Sequence, residues 1–422
     1  MQAAFLIYSI LYSIVLLFLL PFEYVKRPAI LRKRWIREKF GFFEKNAQSL
    51  SSKPKIWIHA VSVGEVVAVS GMIKKLSNKY EIILSTVTDT GQRVAQNRFK
   101  DHNVQIIYMP FDIPFVINKT LKHFMPVALI LTETELWPNL IRVASKKIPV
   151  ILANGRISDK SFKGYRKVKF FIKPLLKKFT LLCVQEQQYK EKFLNLGAEQ
   201  QKIHITGNMK FDIELKPIHF TWEKSIPKPV IIAGSTHEPE EEIVLDSFLN
   251  LDIPGTLIIV PRHPERFDVV EKTIKSKLNN NLLFFRLSEI NPHQDLPYSS
   301  EKFSMIILVD QMGILGSLYR ICHIAIIGGS FIPHGGQNPL EPAYWSKPIV
   351  CGPHMHNFPF IEEFLNQKAC IMTDKDSLSQ VLKELIENSE LRQTMGERAY
   401  QLFLSKSGAT EKTLKLLQRI IP

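Results

Sequence analysis

Met1 to Leu20 carries no charged side chain, and its run AAFLIYSILYSIVLLFLL is apolar throughout. As a helix such a stretch rises about 30 Å, one hydrocarbon core, so residues 1–24 are expected to form a transmembrane anchor. A cleaved leader fits less well, because no basic region precedes the run and Pro21-Phe22-Glu23-Tyr24 offers no small-residue cleavage site. Behind it stand Lys26, Arg27, Arg32, Lys33, Arg34, Arg37 and Lys39 against Glu23 and Glu38. This basic juxtamembrane segment, residues 25–54, is expected to keep the remainder on the cytoplasmic side with the N-terminus outside.

From Lys55 onward the pattern changes. KIWIHAV, YEIILSTV, NVQIIYM, PVALILT, KIPVILA and TLLCV are short β-branched runs, each followed by a stretch suited to an amphipathic helix. That alternation predicts a parallel sheet covered on both faces. A polar interval from Gly207 to Lys228, with Pro217 and Pro227, interrupts the rhythm. It resumes with KPVIIAGS, TLIIVP, FSMIILVD, CHIAIIGGS and KPIVCG. The expectation is two Rossmann-like α/β domains, residues 55–222 and 223–422, facing each other across a cleft. The final segment, Gly408 to Pro422, carries apolar residues with which it can pack back on the first domain. Open parallel sheets bind ligands beyond the carboxyl ends of their strands, so functional residues should follow strands directly.

Composition adds to this picture. The 422 residues are 45% hydrophobic and 23% charged, which excludes a wholly disordered chain. Fifty-five Lys and Arg against 40 Asp and Glu give a formal charge of +15, suited to acidic partners such as anionic lipid, phosphorylated substrates or nucleic acid. Cys183, Cys322, Cys351 and Cys370 are far apart without CxxC or Cys/His ligand spacing, so neither a structural zinc site nor a disulfide framework is expected.

Several loops after strands carry chemistry. Glu65 in HAVSVGE opens a helix, where free N–H groups favour its ionised form; it can cap that helix or serve as a general base. Glu133 and Glu135 in ETELWP point oppositely if the chain is extended, so either can enter a site. Lys210 in GNMKFD can serve as a point charge for phosphate or carboxylate. PRHPERF follows TLIIV and presents guanidinium groups on a rigid turn. Asp310-Gln311-Met312-Gly313-Ile314 is expected to lead into a helix whose N-terminus attracts anions. Gly328 to Ala343 contains four glycines and Glu341, a possible acceptor for ribose hydroxyls. Neither GxGxxG nor GxxxxGK[ST] occurs, which argues against NAD and P-loop readings.

The ordered set WIHAVSVGE, STVTDTGQRVA, ETELWPNL, GNMKFD, STHEPEE, PRHPERF and GGSFIPHGGQNPLEPA, behind an N-terminal anchor, resembles the 3-deoxy-D-manno-octulosonic acid (Kdo) transferases, inverting GT-B glycosyltransferases. The resemblance implies transfer of Kdo from CMP-Kdo to the phosphorylated lipid A disaccharide precursor at the cytoplasmic face of the inner membrane. It implies Glu65 as catalytic base, Glu133 and Lys210 as stabilisers of the transition state, and CMP bound by Pro261, Arg262, Met312, Gly313, Ile314, Asn338, Pro339, Leu340 and Glu341. No cofactor or metal is expected. The ETE pair leaves Glu133 and Glu135 open.

A basic and aromatic stretch from Lys160 to Phe179 suits anionic headgroups or the phosphates of the acceptor. Two other functions stay in view: a GT-B enzyme using a UDP-sugar with a lipid acceptor, and a membrane-tethered nucleic-acid binder. Against the second, the basic residues gather beside the anchor and in the 160–178 stretch, which favours a membrane-facing surface and no nucleic-acid partner.

Overall fold

A computed structural model describes residues 2–44, 53–278, 281–290 and 303–421. Residues 45–52, part of the expected juxtamembrane segment, lie outside this set. The chain divides into two compact units, Met1–Asp212 with Lys406–Pro422, and Ile213–Ser405.

In the first unit, helix α1 (Gln2–Lys26) and helix α2 (Ala29–Lys39) precede a sheet of β1 (Lys55–His59), β2 (Glu81–Thr86), β3 (Val104–Tyr108), β4 (Ala128–Thr132), β5 (Val150–Gly155), β6 (Leu181–Val184) and β7 (Ile203–Ile205). Its order is β3-β2-β1-β4-β5-β6-β7, with every pairing parallel. The second unit holds β8 (Val230–Thr236), β9 (Thr256–Pro261), β10 (Leu282–Arg286), β11 (Ser304–Leu308), β12 (Ile324–Ile327), β13 (Ile349–Cys351) and β14 (Cys370–Met372), ordered β10-β11-β9-β8-β12-β13-β14 and again parallel. The central strands are buried on both faces because helices cover each sheet, which is why they read as unbroken Val, Ile and Leu runs. The strand order reverses direction between β1 and β4 in one sheet and between β8 and β12 in the other. Crevices outside the carboxyl ends of strands at such reversals are where open α/β sheets take ligands.

Three strands escape the sequence pattern: β7, β10 and β14. Each is an edge strand in which only the first residue is buried. β7 and β14 are three residues each, too short to stand out as runs, whereas β10 carries the apolar run LLFF that the sequence reading passed over.

Among the described residues, one helix, Ala3–Lys26 with mean hydropathy 2.5, is long and apolar enough to cross a membrane. It is not a detached rod. The Tyr8 hydroxyl donates to Asp112 Oδ2 at 2.9 Å and Ser9 Oγ to Asn139 Oδ1 at 3.1 Å. Phe5 is buried against Phe171, with ring centroids 5.0 Å apart, and Tyr12, Leu16 and Leu20 continue the stripe against Trp35, Tyr108 and Phe111. Leu17, Phe18 and Phe22 lie on the outer side, 71%, 69% and 74% exposed.

The C-terminal segment belongs to the first unit. Ala409, Leu417 and Ile421 enter the core formed by Ile56, Val66, Met72 and Ile82. Asp212 fastens it: its carboxylate accepts the N–H of Gly408 at 2.6 Å and that of Thr410, at the start of the helix Ala409–Leu417. Asp212→Ala is expected to lower the local opening free energy of this helix by about 1–2 kcal/mol. Amide exchange across residues 409–417 reads the change, and unaltered exchange there would remove Asp212 as the latch.

Candidate active site

The first cluster lies where the first sheet reverses. β1 ends at His59, and after three residues the helix Val63–Ala68 begins, with Glu65 in its first turn. The Glu65 carboxylate folds back. Oε2 accepts the Val61 N–H at 3.0 Å and the Thr132 hydroxyl at 2.7 Å, and Oε1 accepts the Ser62 hydroxyl at 3.2 Å. Thr132 is the last residue of β4, so the bond joins the ends of the two strands that flank the reversal. Glu65 is 8% exposed. Burial raises its pKa and the charge of Glu133 pushes the same way, while the hydrogen bonds to Val61, Thr132 and Ser62 oppose them. The net rise brings this carboxylate nearer the operating pH of a general base.

Glu133 follows β4 directly with φ 52, a left-handed conformation uncommon for a side-chain-bearing residue. Its N–H is held by Ala153 O at 3.0 Å, and its carboxylate accepts the Arg156 Nε–H at 2.7 Å. Arg156 comes directly after β5, and its carbonyl accepts the Thr134 hydroxyl. Asn154, at the end of β5 with φ 55, accepts the Met209 N–H through Oδ1 at 3.0 Å, which places the turn carrying Lys210. Burial is the main force lowering the pKa of Lys210; Arg156 acts in the same sense, and Glu133 and Glu65 oppose them. These mutual influences put Glu65, Glu133, Arg156 and Lys210 in one electrostatic field. Glu135 shares it. Burial first, then the charges of Glu65 and Glu133, push its pKa to about 7.

His59 serves the core. Its ring is fully buried, kept neutral with a pKa pushed down to about 3, and Nδ1 lies 2.9 Å from Ser85 Oγ.

The expected nucleotide segments fall in the second unit. Pro261 closes β9, and the Arg262 N–H donates to Thr236 O at 3.0 Å, beside β8. The Arg262 side chain is exposed, whereas Arg266 pairs with Glu238 at 2.7 Å and Glu241 at 3.1 Å, so only the first of the two guanidiniums is offered by the turn. Met312 is exposed, and Gly313 has φ 89 with open space where a side chain would stand. Asp310 anchors this loop through Arg286 Nε at 2.8 Å and the Ser288 N–H at 3.0 Å. The expected helix after Ile314 is a single turn, Leu315–Leu318, continued by a 3-10 turn. Within it, Trp345 Nε1 donates to Gly316 O at 2.7 Å, and the Glu341 carboxyl lies beside Gly316. The 312–316 and 338–345 segments are thereby brought together. Asn338 Oδ1 accepts the Leu340 N–H at 3.1 Å, Pro339 and Leu340 are buried, and Glu341 is half-buried.

Between these loops lies a contact with no counterpart in the sequence reading. Glu240, 1% exposed, accepts the N–H groups of His237 at 3.0 Å, Gly329 at 2.6 Å, Ser330 at 2.9 Å and Phe331 at 2.9 Å. It ties the loop after β8 to the glycine-rich loop after β12. Gly328 must be glycine, because a Cβ there would stand 2.3 Å from Ser235 O. Thr132, Asn154, Arg156, His237 and Glu240 are given no role by the sequence, although His237 and Glu240 lie within STHEPEE. Thr132 and Asn154 occupy the last two positions of their strands and Arg156 and His237 directly follow one, and that position was the available signal. No group of three or more His, Cys, Asp or Glu among the described residues is arranged to hold a metal ion.

Residues 34–213 match the family model described as 3-deoxy-D-manno-octulosonic-acid transferase (kdotransferase). The 3-deoxy-D-manno-octulosonic acid transferase of Haemophilus influenzae is 34% identical over 412 residues, spanning 93% of this chain and 92% of its own. The chain belongs to the Kdo transferase family. It is thus a glycosyltransferase. The Kdo transferase of Chlamydia muridarum is 28% identical over 395 residues, 90% of this chain and 89% of that one. In fold, the chain resembles the UDP-GlcNAc 2-epimerase of Neisseria meningitidis, with a TM-score of 0.55 at 13% identity over 86% of this chain and all of the other. That likeness confirms the two-sheet α/β architecture of the GT-B kind.

The half-buried Glu135 has a checkable titration. Its pKa rises from 4.5 to about 7 on folding, so between those values the folded state holds a proton that the unfolded state has lost. Stability therefore declines as pH rises through this window. Glu135→Gln should flatten the profile between pH 4.5 and 7, measured as denaturation midpoints at a series of pH values; an unchanged slope would place the titration elsewhere.

Proposed function

We propose that this enzyme transfers Kdo from CMP-Kdo to the phosphorylated lipid A disaccharide precursor in lipopolysaccharide biosynthesis, with inversion at the anomeric carbon. The observation that carries this reading is Glu65: a buried carboxylate of raised pKa at the reversal of the first sheet, sharing its field with the Glu133–Arg156 pair and Lys210.

In this reading Glu65 removes the proton of the acceptor hydroxyl. The hydroxyl oxygen bonds to the anomeric carbon, the bond from that carbon to the phosphate oxygen breaks, and its electron pair leaves with CMP. Glu133 and Lys210 stabilise the charge that develops, Glu133 by fixing Arg156 and Lys210 as a cation. Pro261, Arg262, Met312 to Ile314 and Asn338 to Glu341 hold CMP, with Arg262 on the phosphate. No metal or cofactor takes part. We assign acceptor binding to the unit Met1–Asp212 with Lys406–Pro422 and donor binding to Ile213–Ser405, where the sequence led to the expectation of residues 55–222 and 223–422.

The enzyme works at the cytoplasmic face of the inner membrane. Support comes from the apolar α1 and from the basic helices Asp159–Lys167 and Lys169–Leu176, where Phe170 is 74% exposed while Phe171 touches the α1 residue Phe5. Anionic headgroups suit such a surface.

Incubation with CMP-Kdo and the lipid A precursor, followed by mass measurement of the lipid, tests the activity directly. Glu65→Gln should leave the chain folded and able to bind CMP, yet slow transfer at least about a hundredfold, the range of a lost general base. Near-normal turnover in that variant would move the base elsewhere. Arg262→Ala should weaken CMP binding about tenfold by calorimetry, the scale of one exposed charge-assisted contact. Tighter binding of UDP than of CMP would instead favour a UDP-sugar donor.

A further inference from the structure

One polar side chain in the second unit is buried without a use. His237 follows β8 directly and is 8% exposed, and neither of its ring nitrogens makes a hydrogen bond of good geometry among the described residues, although the Ser235 backbone comes close enough to the ring to raise its pKa. The nearest carboxylate oxygen, Glu240 Oε2, stands 3.9 Å from Nδ1 and is already committed to backbone N–H groups. Buried polar atoms are paired almost without exception in folded proteins, so a ring whose nitrogens lack well-formed hydrogen bonds marks a place where something else binds.

The surroundings say what. His334, on the glycine-rich loop, lies with its ring centroid 4.2 Å from that of His237, and His263, on the loop after β9, at 5.4 Å. Arg262 is bonded through its backbone to Thr236, the residue before His237. The carboxylates nearby are engaged: Glu240 with four N–H groups, Glu241 with Thr236 and Arg266, Glu238 with Arg266, and Glu265 with His263 at 3.8 Å. What remains is a group of N–H donors and one guanidinium at the reversal of the second sheet, between β8 and β12. Such a setting fits an oxyanion.

We propose that His237 donates a ring N–H to the phosphate of the nucleotide donor and so holds the leaving group alongside Arg262. This role rests on the CMP-Kdo reading above. When the bond from the anomeric carbon to the phosphate oxygen breaks, that oxygen receives the electron pair, and a fixed donor stabilises the charge it gains. No proton needs to be transferred. Burial first, then His334, His263 and Arg262, keep the ring neutral with a pKa pushed down to about 4, the Ser235 backbone opposing them. A neutral imidazole still carries one N–H. Ser235 itself has φ 58, and this left-handed conformation sets the direction in which the chain presents His237.

The test uses the full chain with CMP and cytidine as calorimetric probes. His237→Ala should weaken CMP binding at least tenfold while leaving cytidine binding unchanged, and should shift the phosphorus resonance of bound CMP. His237→Asn, which retains an N–H donor, should recover part of the affinity. Equal loss of CMP and cytidine affinity, or unchanged CMP affinity in folded His237→Ala, would overturn the phosphate contact. An unchanged CMP affinity with a raised KM for CMP-Kdo would overturn it too, by assigning the ring to the sugar carboxylate. If the wild-type chain fails to bind CMP at all, the donor reading itself falls, an outcome distinct from failure of the His237 contact alone.

Discussion

Buried and half-buried carboxylates that accept backbone N–H groups hold the working loops of both sheets. A parallel strand must hand the chain to a helix at its carboxyl end, and the turn leaves N–H groups without ladder partners. Glu65 takes one of these at Val61, Asp112 takes those of Asn139 and Leu140, Asp212 those of Gly408 and Thr410, and Glu240 four at once. Each bond to a charged acceptor is stronger than a neutral one, and losing the acceptor would strand several donors together. The geometry of the candidate site therefore depends on acidic residues that need not touch a substrate. Glu65 is the exception that combines both tasks, since the same oxygens that secure the turn are those proposed to receive a proton.

Much of this arrangement was legible in the chain. The buried central strands announced themselves because they are apolar on both faces, and the post-strand rule pointed to Glu65, Glu133 and Arg262. What stayed hidden has a common cause: it depends on neighbours far along the chain. Arg156 becomes meaningful only when β5 is seated beside β4 and brings it to Glu133, 23 positions away. Glu240 reads as an acidic first-turn residue until the loop after β12, some 90 positions on, closes over it. Of the missed edge strands, β7 and β14 are only three residues long, and β10 was passed over although its LLFF run is apolar. The expected helix after Ile314 ends at Leu318 and passes into a 3-10 turn.

Strain is concentrated at the same loops. Glu133, Asn154 and Ser235 adopt left-handed backbone at the ends of β4, β5 and β8, where a side-chain-bearing residue is disfavoured. Each is pinned: Glu133 by Ala153 and Arg156, Asn154 by Met209 and Gln185, Ser235 by the close approach of Gly328. Such conformations persist because the surrounding contacts over-determine them.

The fastening of α1 through Tyr8 and Asp112 reaches beyond stability. An anchor joined by a slack linker would let the catalytic body wander through a volume of solution. One bolted to the first unit, as proposed for α1, would fix the height and tilt of that unit against the lipid. For the lipid-borne acceptor proposed above, the encounter then becomes a search over an area, governed by lateral diffusion and by the number of acceptors per unit of membrane surface. Turnover in vesicles would follow the acceptor's mole fraction in the bilayer, with little regard to how much total lipid the suspension contains.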